Sequence, residues 1–248
     1  MRMKLFEEFK RSDLEPLSSF RLHDSLNPKI WDGFNIKPDV KRTLMEIATE
    51  YFNSLEEDAE IYDVILTGSL ANFNWSEYSD YDLHILIDFK DVNEDVELVK
   101  KFVDLSRKVW NDNHDIKVEG FEVEVYIQEK DEDHTASGIY SLMKDRWLVR
   151  PTKQDFKPDE EAIKMKGIDI MKRIDAIEED LNNDFDNLDK LKERDDKIWD
   201  KIKKMRKEGL EQGEFGLGNL VFKFLRRNSY IGTIIDLRTK IYDLGFSS

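Results

Sequence analysis

The stretch LTGSLANFNWSEYSDYDLHILIDF, Leu66 to Phe89, closes one apolar run and bends at Gly68-Ser69. It then opens a second run with Asp80 and Asp82 one residue apart. Carboxylates that close repel unless a positive charge lies between them. From Tyr81 the pattern alternates: Tyr81, Leu83, Ile85 and Ile87 share one face, and Asp80, Asp82, His84 and Asp88 share the other. That period of two predicts a strand with its acids on one side.

Working outward, IYDVILT (Ile61–Thr67) reads as a buried strand entering the bend. Lys37-Pro38-Asp39 opens a helix carrying Val40, Leu44, Ile47 and Tyr51, with its end near Asn53. Val92 to Trp110 repeats at helical spacing, with Val92, Val96, Val99, Val103 and Trp110 along one side. Gly120 precedes FEVEVYIQ, in which Phe121, Val123, Val125 and Ile127 oppose Glu122 and Glu124. After the polar loop EKDEDHTASG, Tyr140 to Val149 reads as an edge element ending at Pro151.

Beyond Lys157 the texture turns helical and densely charged. One long or broken helix is expected over 159 to about 193, with Ile163, Met171, Ile174, Ile177 and Leu181 as its seam. Lys190–Leu210 continues or restarts it, Gly213, Gly216 and Gly218 mark a break, and two apolar helices follow. The expected organisation is an irregular N-terminal extension (1–36), an α/β half (37–152) and a helical half (153–248), an α+β class overall.

Composition limits the function classes. The chain has 248 residues, 40% of them hydrophobic, enough for a packed core. A formal net charge of −15 disfavours duplex DNA as a partner. The absence of cysteine removes disulfides, thiolate zinc sites and cysteine nucleophiles together. MRMKLFEEFKRSDLEP lacks an apolar signal core, and no run reaches the length of a membrane span. The expectation is a cytoplasmic protein without a membrane partner.

The bend and the acids each suit a task. Gly68 lets the backbone turn sharply and approach a ligand. Ser69 would open a short helix whose free N–H groups suit phosphate oxygens. Asp80 and Asp82 leave the same face and form a hard-oxygen site for Mg²⁺ or Mn²⁺, the missing positive charge. A third carboxylate is expected at Glu124, or at Glu122 on the same face, if the two strands pair. Taken singly, these acids also read as a solvated turn and the wet face of an edge strand.

Together, Gly68-Ser69, Asp80-Tyr81-Asp82-Leu83 and Val123-Glu124-Val125 resemble the DNA polymerase β-like nucleotidyltransferase superfamily, over residues 60 to 128 and the preceding helix. The chain as a whole resembles uncharacterised nucleotidyltransferase-like proteins of tailed phages, which would place it in host-cell cytoplasm if phage-encoded. The resemblance implies a small mixed sheet backed by helices, followed here by a helical C-terminal domain. It implies that Asp80, Asp82 and Glu124 hold two divalent metals, and that Gly68 and Ser69 contact the phosphates of a nucleoside triphosphate, with ATP the expected one. The implied activity is transfer of a nucleoside monophosphate to an acceptor hydroxyl on a small molecule, an RNA 3′ end or a protein. An inactive nucleotide- or partner-binding protein of the same fold is the alternative. Glu stands where the third acid is commonly Asp, and no Arg lies between Ser69 and Asp80.

Other side chains carry paired readings. Lys144, Arg146 and Arg150 follow the third strand, either as triphosphate or acceptor contacts, with Arg146 the candidate nucleotide contact, or as surface partners of nearby acids. KIKKMRK (201–207), with Lys223, Arg226 and Arg227, is either a cradle for RNA or triphosphate or a solvated face balancing acidic helices. Trp75 and Tyr78 either stack on a base or pack the short helix. His84 either touches substrate or is a tolerated neighbour.

Overall fold

Alternation in Tyr81–Ile87 and Phe121–Glu129 is what builds the sheet. In the computed structural model, which describes residues 17–183 and 187–246, these segments are adjacent parallel strands. Residues 21–155 form one unit, and residues 156–246, joined by the 3₁₀ turn Leu17–Phe20, form the other.

In the first unit a hairpin, β1 (Trp31–Asp32) and β2 (Asn35–Ile36), leads to helix α1 (Pro38–Asn53). Strands β3 (Ile61–Thr67) and β4 (Tyr81–Ile87) follow, then the short helix α2 (Phe89–Val92) and helix α3 (Val96–Asn113). Strands β5 (Lys117–Val118), β6 (Phe121–Glu129), β7 (Ile139–Ser141) and β8 (Arg146–Val149) complete it. The sheet order is β5-β6-β4-β3-β7-β8, antiparallel throughout except for β4 beside β6. The architecture is a mixed α+β fold.

The apolar face of this sheet carries Leu66, Leu83, Ile85, Val123 and Val125, packed with Leu44 and Tyr51 of α1 and Val99 and Val103 of α3. The opposite face holds a small apolar patch of Ile65, Leu86 and Ile139. Where β5 stops, α3 closes the edge of β6: Asn111 donates to the Val125 carbonyl and accepts from the Val125 N–H, both at 3.3 Å.

Two boundaries differ from the sequence reading. The expected extension 1–36 is divided: residues 21–36 belong to the α/β unit, where Leu26, Ile30, Trp31 and Ile36 enter the core. Residues 1–16 lie outside the described residues. The helix expected from Val92 breaks over 93–95, where the Asp95 side chain accepts from the Leu98 N–H and starts α3 afresh.

The second unit contains α4 (Glu160–Asn182), α5 (Leu188–Glu211), α6 (Leu217–Arg227) and α7 (Tyr230–Phe246). Its core draws on Ile163, Met171 and Ile174 of α4, Ile198 and Ile202 of α5, Phe224 of α6 and Ile234 and Leu237 of α7. The glycines that punctuate this region have a packing reason. A Cβ on Gly209 would sit 2.2 Å from the Asn219 nitrogen, and one on Gly218 would sit 2.1 Å from the Met205 carbonyl oxygen. The end of α5 and the start of α6 therefore touch backbone to backbone. The basic run is neutralised locally: Lys201 pairs with Asp169, Lys203 with Asp200 and Lys204 with Glu208, and Arg206 lies over the Phe222 ring. Among the described residues no helix is long and apolar enough to cross a membrane.

Asp195 on α5 is 2% exposed and pairs with Arg238 of α7 at 2.6 Å. Burial nevertheless raises its pKa from 3.8 to about 6, because desolvation outweighs the guanidinium, and its Oδ1 finds no partner. Between those values the folded unit keeps a proton that the unfolded chain has released. Stability from this group is thus lost as pH rises from about 4 to about 6, by on the order of 3 kcal/mol. Urea unfolding of Asp195→Asn beside the parent chain at about pH 5 and pH 7 checks this: the difference should shift in favour of the variant at the higher pH.

Candidate functional site

The site is assembled where β3 ends and β4 begins. Gly68 follows β3 with φ +75°, a conformation in which a side chain is strained. A Cβ there would lie 1.8 Å from Asp82 Oδ2. The glycine thus serves conformation and space together, with the Asp82 carboxylate directly against its backbone. The 3₁₀ turn Ser69–Ala71 starts at the expected serine.

Ser79, which the sequence reading passed over, ties the loop shut. Its buried hydroxyl lies 2.7 Å from Ser69 Oγ and accepts from the Ser76 N–H at 2.9 Å. Buried Asn72 accepts from the Phe73 N–H and donates to Ser137. From the N-terminal side, Trp31 donates to the Leu70 carbonyl, and His23 stacks on Trp75 at 3.6 Å. Trp75 also donates to the Ser25 carbonyl. Trp75 is therefore a clamp on the loop.

Register brings the second acid to the third. Asp82 of β4 lies directly opposite Glu124 of β6, and Thr67 of β3 lies opposite Asp82 on its other side. Alternation puts all three on the face away from the main core. Asp80 stands one residue before β4. Both aspartates and Glu124 are half-buried. Glu122 is exposed and engaged by Lys117 at 3.5 Å, leaving Glu124 as the inner acid.

Glu124 has its own support. The Tyr126 hydroxyl donates to its carboxylate. Burial, and then the negative charge of Asp82, push the Tyr126 pKa far up, so the hydroxyl keeps its proton. His84 stacks on the Tyr126 ring at 4.8 Å and pairs through Nδ1 with Gln128 at 2.9 Å, while the Arg107 guanidinium lies 4.9 Å from the ring centre. Burial lowers the His84 pKa to about 4, leaving it neutral near pH 7. Its place is under Tyr126, a position the sequence reading did not distinguish.

Arg146 is not brought to this turn. Ile65 lies opposite Ser141, and Ser141 lies opposite Arg146, so Arg146 sits away from the Thr67 end of β3. It is exposed on an edge strand three places from β4, roughly 14 Å across the sheet. The hairpin between β7 and β8 turns after Ser141, away from the Thr67 end, and leaves the arginine level with Ile65 on the edge strand. Lys144 is committed to buried Asp63 at 2.9 Å, and Arg150 lies over the Phe34 ring at 3.7 Å.

Hard carboxylate oxygens beside a side-chain-free turn have the donor chemistry that a divalent cation of the Mg²⁺ type takes. Among the described residues no group of three or more His, Cys, Asp or Glu side chains is gathered closely enough to hold a metal ion. The structure thus supplies the common face and the register of these acids, not a closed ligand set. Beside Glu124 opens a cleft of about 410 Å³ lined by Asn111, Asp112, His114, Asp115 and Glu122.

No protein-family model matches the chain. No curated protein and no solved structure gives a significant match to it.

Replacing Gly68 by Ala should destabilise the α/β unit by on the order of 2–4 kcal/mol, from a left-handed backbone plus the overlap with Asp82. In the double variant Gly68→Ala/Asp82→Ala the overlap with the carboxylate disappears, leaving the backbone cost, a 3.3 Å contact between the two Cβ atoms and the cost of Asp82→Ala alone. Thermal unfolding of the four-member cycle should show this as a non-additive recovery.

Proposed function

We propose that the chain is a metal-dependent nucleotidyltransferase that moves a nucleoside monophosphate from a nucleoside triphosphate, ATP in the first instance, to an acceptor hydroxyl. The observation that carries this reading is the placement of Asp82 opposite Glu124, in register and beside the Gly68-Ser69 turn. Asp80, Asp82 and Glu124 would hold Mg²⁺ or Mn²⁺, which when bound offsets the charge of the triphosphate and makes the acceptor hydroxyl more acidic.

The chain's own groups account for the rest. The turn at Gly68 brings the backbone directly against the Asp82 carboxylate, so a phosphate drawn to a cation on that acid would lie beside the turn. Either hydroxyl can donate in the Ser69–Ser79 pair; with Ser79 donating, the Ser69 O–H is left to donate to a phosphate oxygen. The acceptor hydroxyl gives its proton to solvent, its oxygen bonds to the α-phosphorus, and the opposite bond from that phosphorus to the bridging oxygen breaks, so that pyrophosphate leaves. Loop residues tied by Ser79, Asn72 and Trp75 keep the triphosphate side of the site in place, so the rate gain comes from position and charge. Of the three acceptor classes, the cleft beside Glu124 favours a small cationic molecule. Asp112, Asp115 and Glu122 line it, and a nucleic-acid backbone would meet like charge there.

A second reading is nucleotide or partner binding without turnover. It is favoured by the commitment of the Glu124 carboxylate to the Tyr126 hydroxyl. Incubation with each α-labelled triphosphate, Mg²⁺ or Mn²⁺, and amine-bearing polyhydroxy acceptors or RNA separates the readings. Turnover should depend on the cation. Asp80→Asn with Asp82→Asn should lower transfer by on the order of a thousandfold. Glu124→Gln should act in the same direction, whereas Glu122→Gln, in the acceptor cleft, should raise KM for a cationic acceptor and leave kcat within about twofold. Transfer that survives the double aspartate change sinks the enzymatic reading, and nucleotide binding indifferent to cation supports the second.

A further inference from the structure

Helix α3 has two apolar faces, and the core uses one. Val99 and Val103 are 2% and 3% exposed and pack against the sheet. Leu98, Phe102, Leu105 and Val109 are 55%, 37%, 62% and 61% exposed. At 100° per residue these four fall within about 30° of a common line and run about 16 Å along the helix. Their spacing of four, three and four residues is that of a seam made to meet another helix. Scattered exposed apolar residues are ordinary, but four large ones in register on one helix are not.

The charges beside the seam indicate what it meets. Lys101 and Lys108 flank it seven residues apart, both exposed and on the same side. The ion pairs of α3, Lys100 with Glu132 and Arg107 with Asp104, use neither of them. Asp112 lies a turn beyond Val109. The chain's net charge of −15 does not decide the matter, because charges farther than about 8 Å are screened at physiological salt. A second copy fits poorly: laying α3 of one copy antiparallel on α3 of another would set Lys101 of one beside Lys108 of the other.

The geometry points to α3 as a docking surface for an amphipathic helix of a partner protein, with leucine-like residues in heptad spacing and carboxylates along the edge facing Lys101 and Lys108. The seam spans only about a heptad and a half, so the complex is a reversible one. This surface is independent of the nucleotidyl-transfer reading.

The test uses the full chain and two labelled synthetic helices of about three heptads, identical in their Leu seam, one with Glu and one with Lys at the flanking positions. Fluorescence anisotropy should show the Glu peptide binding at least about tenfold more tightly than the Lys peptide. Leu105→Glu with Val109→Glu should abolish binding of both. Lys101→Glu with Lys108→Glu, changes at exposed positions that leave the seam intact, should reverse the preference. Failure of both peptides to bind, or a preference unmoved by the reversal, overturns the proposal. It is also overturned by sedimentation showing a dimer that Leu105→Glu dissolves, since the occupant is then a second copy. Binding to anionic phosphatidylserine vesicles that Leu105→Glu removes overturns it in favour of a lipid surface.

Discussion

The parallel register of β4 on β6 is the constraint on which the α/β unit depends. Side chains along a strand alternate, so slipping one strand by a single residue would turn its whole apolar set to the wrong face. Tyr81, Leu83, Ile85, Val123 and Val125 are all buried in one core. Each large side chain exposed by a slip would cost about 1.5–3 kcal/mol, and carboxylates would enter the core in exchange. The facing of Asp82 and Glu124 follows from that penalty. The core enforces the polar arrangement, and the acids need no mutual attraction to stay opposite each other.

The polar face then has two kinds of support. On the Asp82 side the support is steric: Gly68 leaves no atom where the carboxylate lies. On the Glu124 side it is electronic and aromatic, through the Tyr126 hydroxyl, the His84 ring and Arg107. A neutral His84 can lie there without adding a cation near the acids, because burial keeps it deprotonated. One acid is thus held by close packing against a glycine and the other by a hydrogen bond.

Much of this was legible because it depends on short-range periodicity. The alternation in Tyr81–Ile87 and Phe121–Glu129 announced both strands and their acidic faces, and helical spacing announced α1 and the core of α4. Four features were not legible, for different reasons. Ser79 looks like any loop serine, and its role appears only when Ser69 folds back to within 2.7 Å. Arg146 lies near β6 in sequence, but the β7–β8 hairpin carries it to the edge strand, three places from β4. The place of residues 21–36 depends on contacts across long separations, such as Trp31 to the Leu70 carbonyl. In α3 the apolar residues are so numerous that two seams overlap in sequence, and only burial tells Val99 and Val103 from Leu98 and Leu105.

The Asn111 side chain has an effect larger than its two hydrogen bonds. A primary amide can present one of its two N–H groups beside its carbonyl in one plane, the same pair that a strand residue presents to its neighbour. Placed against Val125, it satisfies the ladder positions at which an added strand would start. The part of β6 that runs on past β5 is thereby capped at Val125 against pairing with another chain. At the other margin, β8 is four residues long, begins at Arg146 and runs out through Arg150 into Pro151. A short strand with charge at both ends and a proline behind it is a poor template for misassembly. Resistance to aggregation in this unit is therefore provided at its two rims, by an amide plug on one and by brevity, charge and proline on the other.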